Sequence, residues 1–127
     1  MLLDTATFWW FASGSRQLSR QAAEICSDPA NELMLSPVSV WELLVKHQIG
    51  KLETITPIHE VLRRSREQRL IESLPLTDSA VLRLQSLPML HRDPFDRMLI
   101  CQAIDENAVL LTPDAQVRAY PVSTQWE

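Results

Sequence analysis

Glycine is almost absent from this sequence, which has only Gly14 and Gly50 among its 127 residues. So little glycine excludes a fibrous, glycine-repeat chain, and no internal repeat or low-complexity tract is visible. Hydrophobic residues make up 46% of the chain and charged residues 22%, which excludes an intrinsically disordered protein. The composition is therefore that of a soluble globular protein built mostly from regular helices and strands.

Cysteine is also scarce, because Cys26 and Cys101 are the two in the chain and lie far apart. No Cys-X-X-Cys pair and no Cys/His cluster has the spacing of zinc ligands. Both cysteines lie among apolar or small residues. We expect buried, reduced thiols in preference to a disulfide or to metal ligands.

Long apolar runs are missing as well. The aromatic stretch ATFWWFA, residues 6–12, is far too short to cross a bilayer, and Asp4 interrupts the apolar residues before it. The first residues lack the basic region of a secretory signal. We therefore expect a cytoplasmic protein with no membrane partner.

Positive charge is outnumbered by negative charge. The net charge of −4 and the sequence pI of about 5.3 argue against tight nonspecific binding of nucleic acid. This argument weakens if several acids are metal ligands, because two divalent ions would bring the total charge to zero. The charge balance permits a nucleic-acid substrate without favouring one.

The order of apolar segments predicts an α/β protein. The length favours one domain, residues 1–127. Short apolar segments alternate with amphipathic ones, which indicates a short central parallel sheet with helices on both faces, and sites in such sheets lie at the carboxyl ends of the strands. The predicted strands are 1–5, 32–36, 71–76 and 109–114. The predicted helices are 18–28, 36–50, 56–70, 77–88 and 93–108, preceded by a helix or turn at 8–14.

Helix 36–50 has the clearest boundaries, with Ser36 as N-cap, Pro37 at the first position and Gly50 as C-cap. It also has an apolar stripe at helical spacing. We expect its Trp41, like the cluster Phe8–Phe11, to pack in the core or in a subunit interface rather than to stack on bases. The stripe consists of Trp41, Leu44, Val45 and Ile49.

Two aspartates three residues apart begin helix 93–108. Asp93 is a good N-cap, and Pro94 suits the first helical position because its φ is fixed and it has no N–H. Asp96 is then one of three things: part of a capping box with Asp93, an anion that favours the helix dipole, or a metal ligand.

Four acidic residues are expected to converge at the carboxyl edge of the sheet. Asp4 ends the first strand and Asp114 follows the last, while Glu42 and Asp96 lie on helices that begin at that edge. Four carboxylates in one cleft repel one another unless they are protonated or bridged by cations. An all-oxygen set fits Mg²⁺ or Mn²⁺, and such ions promote hydrolysis of phosphodiesters.

Each of these acids also has a purely structural explanation. Asp4 and Asp114 fit ordinary turns, and Glu42 fits an ion pair with Lys46 four residues later. The spacing of the acids leaves both explanations open.

Four segments in order resemble one family, the PIN-domain ribonucleases, and specifically the VapC-type toxins of bacterial toxin–antitoxin pairs. The resemblance covers Leu2 to about Trp126. It implies a three-layer α/β/α fold and a metal-dependent endoribonuclease with acids around one or two Mg²⁺ or Mn²⁺ ions. The segments are LLDT (2–5), LSPVSVWELLVKHQIGKLE (35–53), LHRDPFDRMLICQA (90–103) and LLTPDAQVRAY (110–120).

The resemblance also implies roles for individual residues. It makes Asp4, Glu42 and Asp96 the core metal ligands and Asp114 a fourth acid that often acts through water. Asp93 is accessory within the HRDPFDR form of the motif.

Several neighbouring positions follow from the same resemblance. Thr5 and Thr112 match hydroxyls that commonly hydrogen-bond the carboxylates. Arg92 and Arg97 lie beside the metal site in the motif, where they could contact RNA phosphates. Ala6 is a departure, since relatives frequently have histidine there, but that histidine is not a core acid.

The implied partners are an RNA substrate, a small VapB-type antitoxin whose tail enters the cleft, and a second copy of the chain in a homodimer. Two alternatives remain: a PIN nuclease of RNA maturation or decay without a toxin role, and an inactive PIN module that binds RNA or a partner protein. The presence of all core acids argues against the inactive module. His47, His59 and His91 lack ligand spacing and are assigned no catalytic role.

Overall fold

The computed structural model describes residues 1–126 and contains a fully parallel sheet. Within those residues, five strands lie in the order β3-β2-β1-β4-β5. Each strand has two residues, so the sheet is short along the strand direction. The strands are β1 (Leu2–Leu3), β2 (Met34–Leu35), β3 (Glu72–Ser73), β4 (Leu110–Leu111) and β5 (Thr124–Gln125).

Helices fill the connections between the strands. Short α5 continues into a 3-10 turn at Arg83–Gln85. Among residues 1–126, no helix is both long and apolar enough to cross a membrane. The helices are α1 (Thr5–Ser13), α2 (Arg20–Ser27), α3 (Pro37–Gln48), α4 (Ile58–Gln68), α5 (Asp78–Leu82), α6 (Pro94–Asp105) and α7 (Ala115–Arg118).

The sheet separates two apolar cores because successive strand residues point to opposite faces. Leu3 and Leu111 pack on one face with side chains of α1, α2 and α4. Leu2 and Leu110 pack on the other face with side chains of α6 and α7. This arrangement is the predicted three-layer α/β/α fold, which is thereby confirmed.

Local signals located most helix ends correctly. Ser19 and Ser36 are N-caps, Pro37 occupies the first turn of α3, and Gly14 ends α1 with a φ of 69°. The prediction that the first helix begins at Phe8 is wrong, because Asp4 caps it and the helix begins directly at Thr5.

The fifth strand was missed. Thr124–Gln125 lies beyond the last predicted strand, and it pairs with β4 in parallel register, Leu110 with Thr124. Its residues are polar and it is at the edge of the sheet, so no apolar run marks it in the sequence.

The apolar stripe of α3 does not face the core. Val38 and Leu43 are buried, whereas Trp41 is 59% and Leu44 44% exposed. The face that is buried also contains Glu42. Of the two positions expected for Trp41, the core is therefore wrong, because α3 turns its acidic face inward, and the subunit interface stays a prediction.

The two cysteines match the expectation. Cys26 and Cys101 are both free and buried. Burial raises the pKa of the Cys26 thiol to about 11, so the thiol stays protonated at neutral pH.

Candidate active site

Two of the predicted acids are N-caps at the carboxyl edge of the sheet. Asp4 follows β1, and its Oδ1 accepts a hydrogen bond from the Thr7 N–H at 2.8 Å. Asp114 follows β4, and its Oδ1 accepts from the Gln116 N–H, also at 2.8 Å. Each carboxylate therefore has one oxygen fixed by a helix N-terminus, where a negative charge is favoured.

Asp4 is buried and lies close to another acid. Burial raises the pKa of Asp4 above its ordinary value, and the charge of Glu42 raises it further. Hydrogen bonds from Thr112 and Thr7 act in the opposite direction. Thr112 acts on Asp4 in this way and also accepts a hydrogen bond from the Asp114 N–H at 3.1 Å, so it lies between these two acids.

Glu42 is buried on the inner face of α3 and both of its oxygens have partners. The Thr5 hydroxyl donates to Oε1 at 2.6 Å, which is the contact expected for Thr5. Lys46 Nζ lies 2.6 Å from Oε2, and the lysine side chain is 46% exposed. The Glu42–Lys46 ion pair, which is the structural explanation of Glu42, is therefore present. The charge of Glu42 also acts on Asp4 and Asp96.

Asp93 is the N-cap of α6, as its sequence position predicts. Its Oδ1 accepts from the N–H groups of Phe95 at 2.9 Å and Asp96 at 3.2 Å. This double contact fixes the first turn of α6 and hence the direction in which Asp96 leaves the helix.

The ionisation of Asp96 is strongly perturbed. Its pKa is raised to about 6, chiefly by burial and further by the charges of Asp93, Glu42 and Asp114, while the hydrogen bond from His91 acts to lower it. The charges of three other acids thus reach Asp96. Such mutual repulsion is what a cluster of carboxylates without a bound cation experiences.

His91 was assigned no role from the sequence, yet its ring lies against this cluster. Nε2 is 3.1 Å from Asp96 Oδ2, and Nδ1 is 2.9 Å from the Tyr120 hydroxyl. Burial lowers the pKa of His91, but the hydrogen bonds to Tyr120 and Asp96 outweigh this and raise it overall. The position of His91 five residues before Asp96 in HRDPFDR was the available signal.

Tyr120 joins the loop before α6 to the helix itself. Its hydroxyl accepts hydrogen bonds from the backbone N–H groups of Leu90 and His91, both at 3.1 Å. Although burial acts to raise it, the donors around the hydroxyl lower the pKa of Tyr120 to about 8. This residue was also missed, because it lies 29 residues after His91.

The two arginines expected at phosphates have different surroundings. Arg97 is only 7% exposed, and its Nη1 donates to the Pro88 carbonyl at 2.8 Å and to the Tyr120 hydroxyl at 3.0 Å. It supports the loop before α6, so the phosphate contact expected for Arg97 does not fit this structure. Arg92 is exposed and next to Asp93, which leaves it available for such a contact.

The four predicted acids are linked by their charges at the carboxyl edge of the sheet, which we call the acidic crevice. The charge of Glu42 reaches both Asp4 and Asp96, and that of Asp114 reaches Asp96. Within residues 1–126, however, no three acidic, histidine or cysteine side chains are arranged as a complete metal site. Lys46 contacts one oxygen of Glu42, and His91 contacts one oxygen of Asp96. The donor set itself, carboxylates without thiolate, fits Mg²⁺ or Mn²⁺.

Known proteins resemble this chain in sequence or in fold. Ribonuclease VapC22 of Mycobacterium tuberculosis is 25% identical over 121 residues, which are 94% of this chain and 91% of that protein. The crystal structure of VapBC2 from Rickettsia felis, bound to a DNA fragment from their promoter, contains a similar chain with a TM-score of 0.73 and 16% identity, covering 99% of this chain and 98% of that one.

A further structural relative is found in FitAcB from Neisseria gonorrhoeae, with a TM-score of 0.65, 19% identity, and coverage of 97% of this chain and 94% of that one. At these identities the solved structures support the fold. The PIN domain family matches residues 1–122. The chain therefore belongs to the PIN-domain family, as its motifs indicated.

Proposed function

We propose that this chain is a metal-dependent endoribonuclease and the toxin of a toxin–antitoxin pair, with residues 1–127 as one PIN domain. The observation that carries the proposal is the convergence of the charges of Asp4, Glu42, Asp96 and Asp114 at the carboxyl edge of the sheet. Membership of the PIN-domain family and similarity to a protein named as a ribonuclease support the same reaction.

The proposed cofactor is one or two Mg²⁺ or Mn²⁺ ions. Asp4, Glu42 and Asp96 would be direct ligands, and Asp114, which is half-buried at the crevice, would act through water. When bound, the ion would supply activation of a water molecule and neutralisation of charge at the leaving oxygen. The expected products carry a 5′-phosphate and a 3′-hydroxyl.

The chain's own residues prepare the site. The Thr7 N–H fixes one oxygen of Asp4, and the Thr5 hydroxyl fixes one oxygen of Glu42. Asp93 holds the first turn of α6 in place for Asp96. Preorganised carboxylates of this kind need no rearrangement of the backbone when a cation binds.

Two side chains compete with a cation for oxygens of these acids. Lys46 occupies Glu42 Oε2, and His91 occupies Asp96 Oδ2. Lys46 is half-exposed, so its ammonium group can turn into the solvent or towards a substrate phosphate. Exposed Arg92 is the second cation proposed to contact the RNA backbone.

The proposed partners follow from the relatives. VapBC2 of Rickettsia felis is a complex, which supports a VapB-type antitoxin for this chain. We propose that the tail of a small antitoxin enters the crevice, that the chain forms a homodimer, and that it acts in the cytoplasm. A short neighbouring gene for a DNA-binding protein would distinguish a toxin from a nuclease of RNA maturation.

The test is incubation of the purified protein with defined RNAs in Mg²⁺, in Mn²⁺ and in EDTA, followed by mapping of the ends. We expect cleavage that needs the metal, leaves 5′-phosphates, and is lost in Asp4→Asn. Glu67→Gln is the matched control, because Glu67 is an exposed acid on α4 that pairs with Arg63. Equal cleavage in EDTA, or an active Asp4→Asn enzyme, would refute the proposal.

A further inference from the structure

An exposed aromatic pair lies between α3 and α6. The rings of Trp41 and Phe95 pack edge to face, with centroids 4.7 Å apart and an interplanar angle of 76°. Phe95 is partly buried, whereas Trp41 is 59% exposed. Phe95 thus supports the indole of Trp41 from one side, and a large part of the indole surface stays in the solvent.

This pair lies immediately beside the acidic crevice. Trp41 directly precedes Glu42 on α3, and Phe95 directly precedes Asp96 on α6. The Trp41–Phe95 contact and the influence of the Glu42 charge on Asp96 both link α3 with α6, at consecutive residues of each helix, with the aromatic pair on the solvent side. A group resting on Trp41 would therefore lie next to the position of a phosphate in the crevice.

We infer that Trp41, supported by Phe95, is a stacking platform for an unpaired nucleobase next to the phosphodiester that is cleaved. The inference rests on the proposed ribonuclease function and narrows its substrate to single-stranded RNA or loops. Aromatic side chains stack on any base whose face is free, whereas a base inside a duplex has both faces covered by its neighbours.

Charge near the platform favours a nucleic acid over a protein as the occupant. The crevice is acidic, but exposed Arg92 precedes the N-cap of α6, and half-exposed Lys46 lies on α3. A strand whose base rests on Trp41 would place its phosphates near these cations. An apolar protein side chain would make no use of them.

Two substitutions of Trp41 separate stacking from apolar contact. Trp41→Leu keeps an apolar side chain but removes the aromatic ring. Trp41→Phe keeps an aromatic ring that is smaller than the indole. Leu44→Ala is the matched control, because Leu44 is an exposed apolar residue of the same helix, 44% exposed. The probe is a single-stranded RNA oligonucleotide with one mapped cleavage site, together with versions that have an abasic ribose on either side of that site.

We expect Trp41→Leu to lower kcat/KM for the intact oligonucleotide by about 5- to 100-fold, as loss of one stacked base requires. Trp41→Phe should retain most of the activity, and Leu44→Ala should match the wild type. One abasic position should slow the wild-type enzyme and have no further effect on Trp41→Leu. An unchanged abasic penalty in Trp41→Leu, or an equal loss in Leu44→Ala, would overturn the inference and make this surface a protein contact.

A wild-type enzyme that cleaves no RNA would instead refute the proposed function. In that case, fluorescence anisotropy with the same labelled oligonucleotide decides the inference separately. Tighter binding of the single strand than of its duplex, weakened at least about fivefold in Trp41→Leu, would sustain the platform. Equal binding by wild type and Trp41→Leu would overturn it.

Discussion

Replacement of Asp96 by asparagine should stabilise the cation-free protein while it abolishes cleavage. The raised pKa of Asp96, about 6 against an ordinary 3.8, means that the folded protein favours the protonated carboxyl group. At about 1.4 kcal/mol per pKa unit, ionisation of Asp96 at neutral pH costs the native state about 3 kcal/mol. Its side chain is only 18% exposed, so solvent screens little of this.

The pH dependence has a definite sign. Below pH 4, Asp96 is protonated in the folded protein and its burial carries little cost. As the pH rises from about 4 to about 6, the unfolded protein loses the proton of Asp96 before the folded protein does, so the free energy of unfolding of the wild type falls and then levels off. Asparagine does not ionise, and its amide can still contact His91. We expect Asp96→Asn to be about 1–3 kcal/mol more stable at pH 8 and to lose most of that advantage at pH 4.5.

Urea denaturation in EDTA, at both pH values, measures this difference. Asp105→Asn is the control on the same helix with the opposite sign, because Arg83 and Ser79 hold the pKa of Asp105 below its usual range. Asp105→Asn should be no more stable than the wild type at pH 8. If Asp96→Asn is no more stable than the wild type at pH 8, or keeps its full advantage at pH 4.5, the repulsion among the acids is misassigned.

Three other substitutions test separate parts of the structure. Expression of the chain alone should slow growth of its host, and Asp4→Asn, at an equal soluble level, should relieve this because a fixed carboxylate ligand is lost; growth curves measure it. Asp93→Ala should lower the free energy of unfolding by about 1 kcal/mol through loss of the N-cap of α6, and Asp93→Ser should restore it in urea denaturation. Tyr120→Phe should lower the same free energy by about 1–3 kcal/mol, because the Arg97 guanidinium and two backbone N–H groups lose their acceptor. Wild-type stability in Asp93→Ala or in Tyr120→Phe would contradict these assignments.

The parts of the fold that local chemistry controls could be predicted from the sequence. Ser36 and Pro37 locate the start of α3, and Asp93 and Pro94 locate the start of α6, because caps depend on residues a few positions apart. Strand β5 could not be predicted, since Thr124–Gln125 is defined by its pairing with β4 and not by its own residues.

The orientation of α3 was mispredicted for a physical reason. The helix has apolar residues on two faces, with Val38 and Leu43 on one and Trp41 and Leu44 on the other. Periodicity alone does not decide between them. The Thr5 hydroxyl satisfies the buried Glu42, which makes burial of the acidic face acceptable.

The site was partly predictable. The topology of a parallel sheet brings Asp4 and Asp114 to one edge, whereas the contacts of Asp96 depend on distant residues. His91 and Tyr120 are 29 residues apart in the chain, so no spacing rule connects them. The same holds for Arg97, whose burial depends on the Pro88 carbonyl and Tyr120.

The central claim is that the acidic crevice binds a cation in order to cleave RNA, and the Mn²⁺ dependence of cleavage by Glu42→Gln tests it most directly. The substitution keeps the shape of a buried side chain and the acceptor for Thr5 but removes a charge. We predict that the wild type reaches a saturating rate as Mn²⁺ is added, and that folded Glu42→Gln is at least about 100-fold slower and needs more Mn²⁺. Superimposable Mn²⁺ titrations of the two proteins would contradict the account.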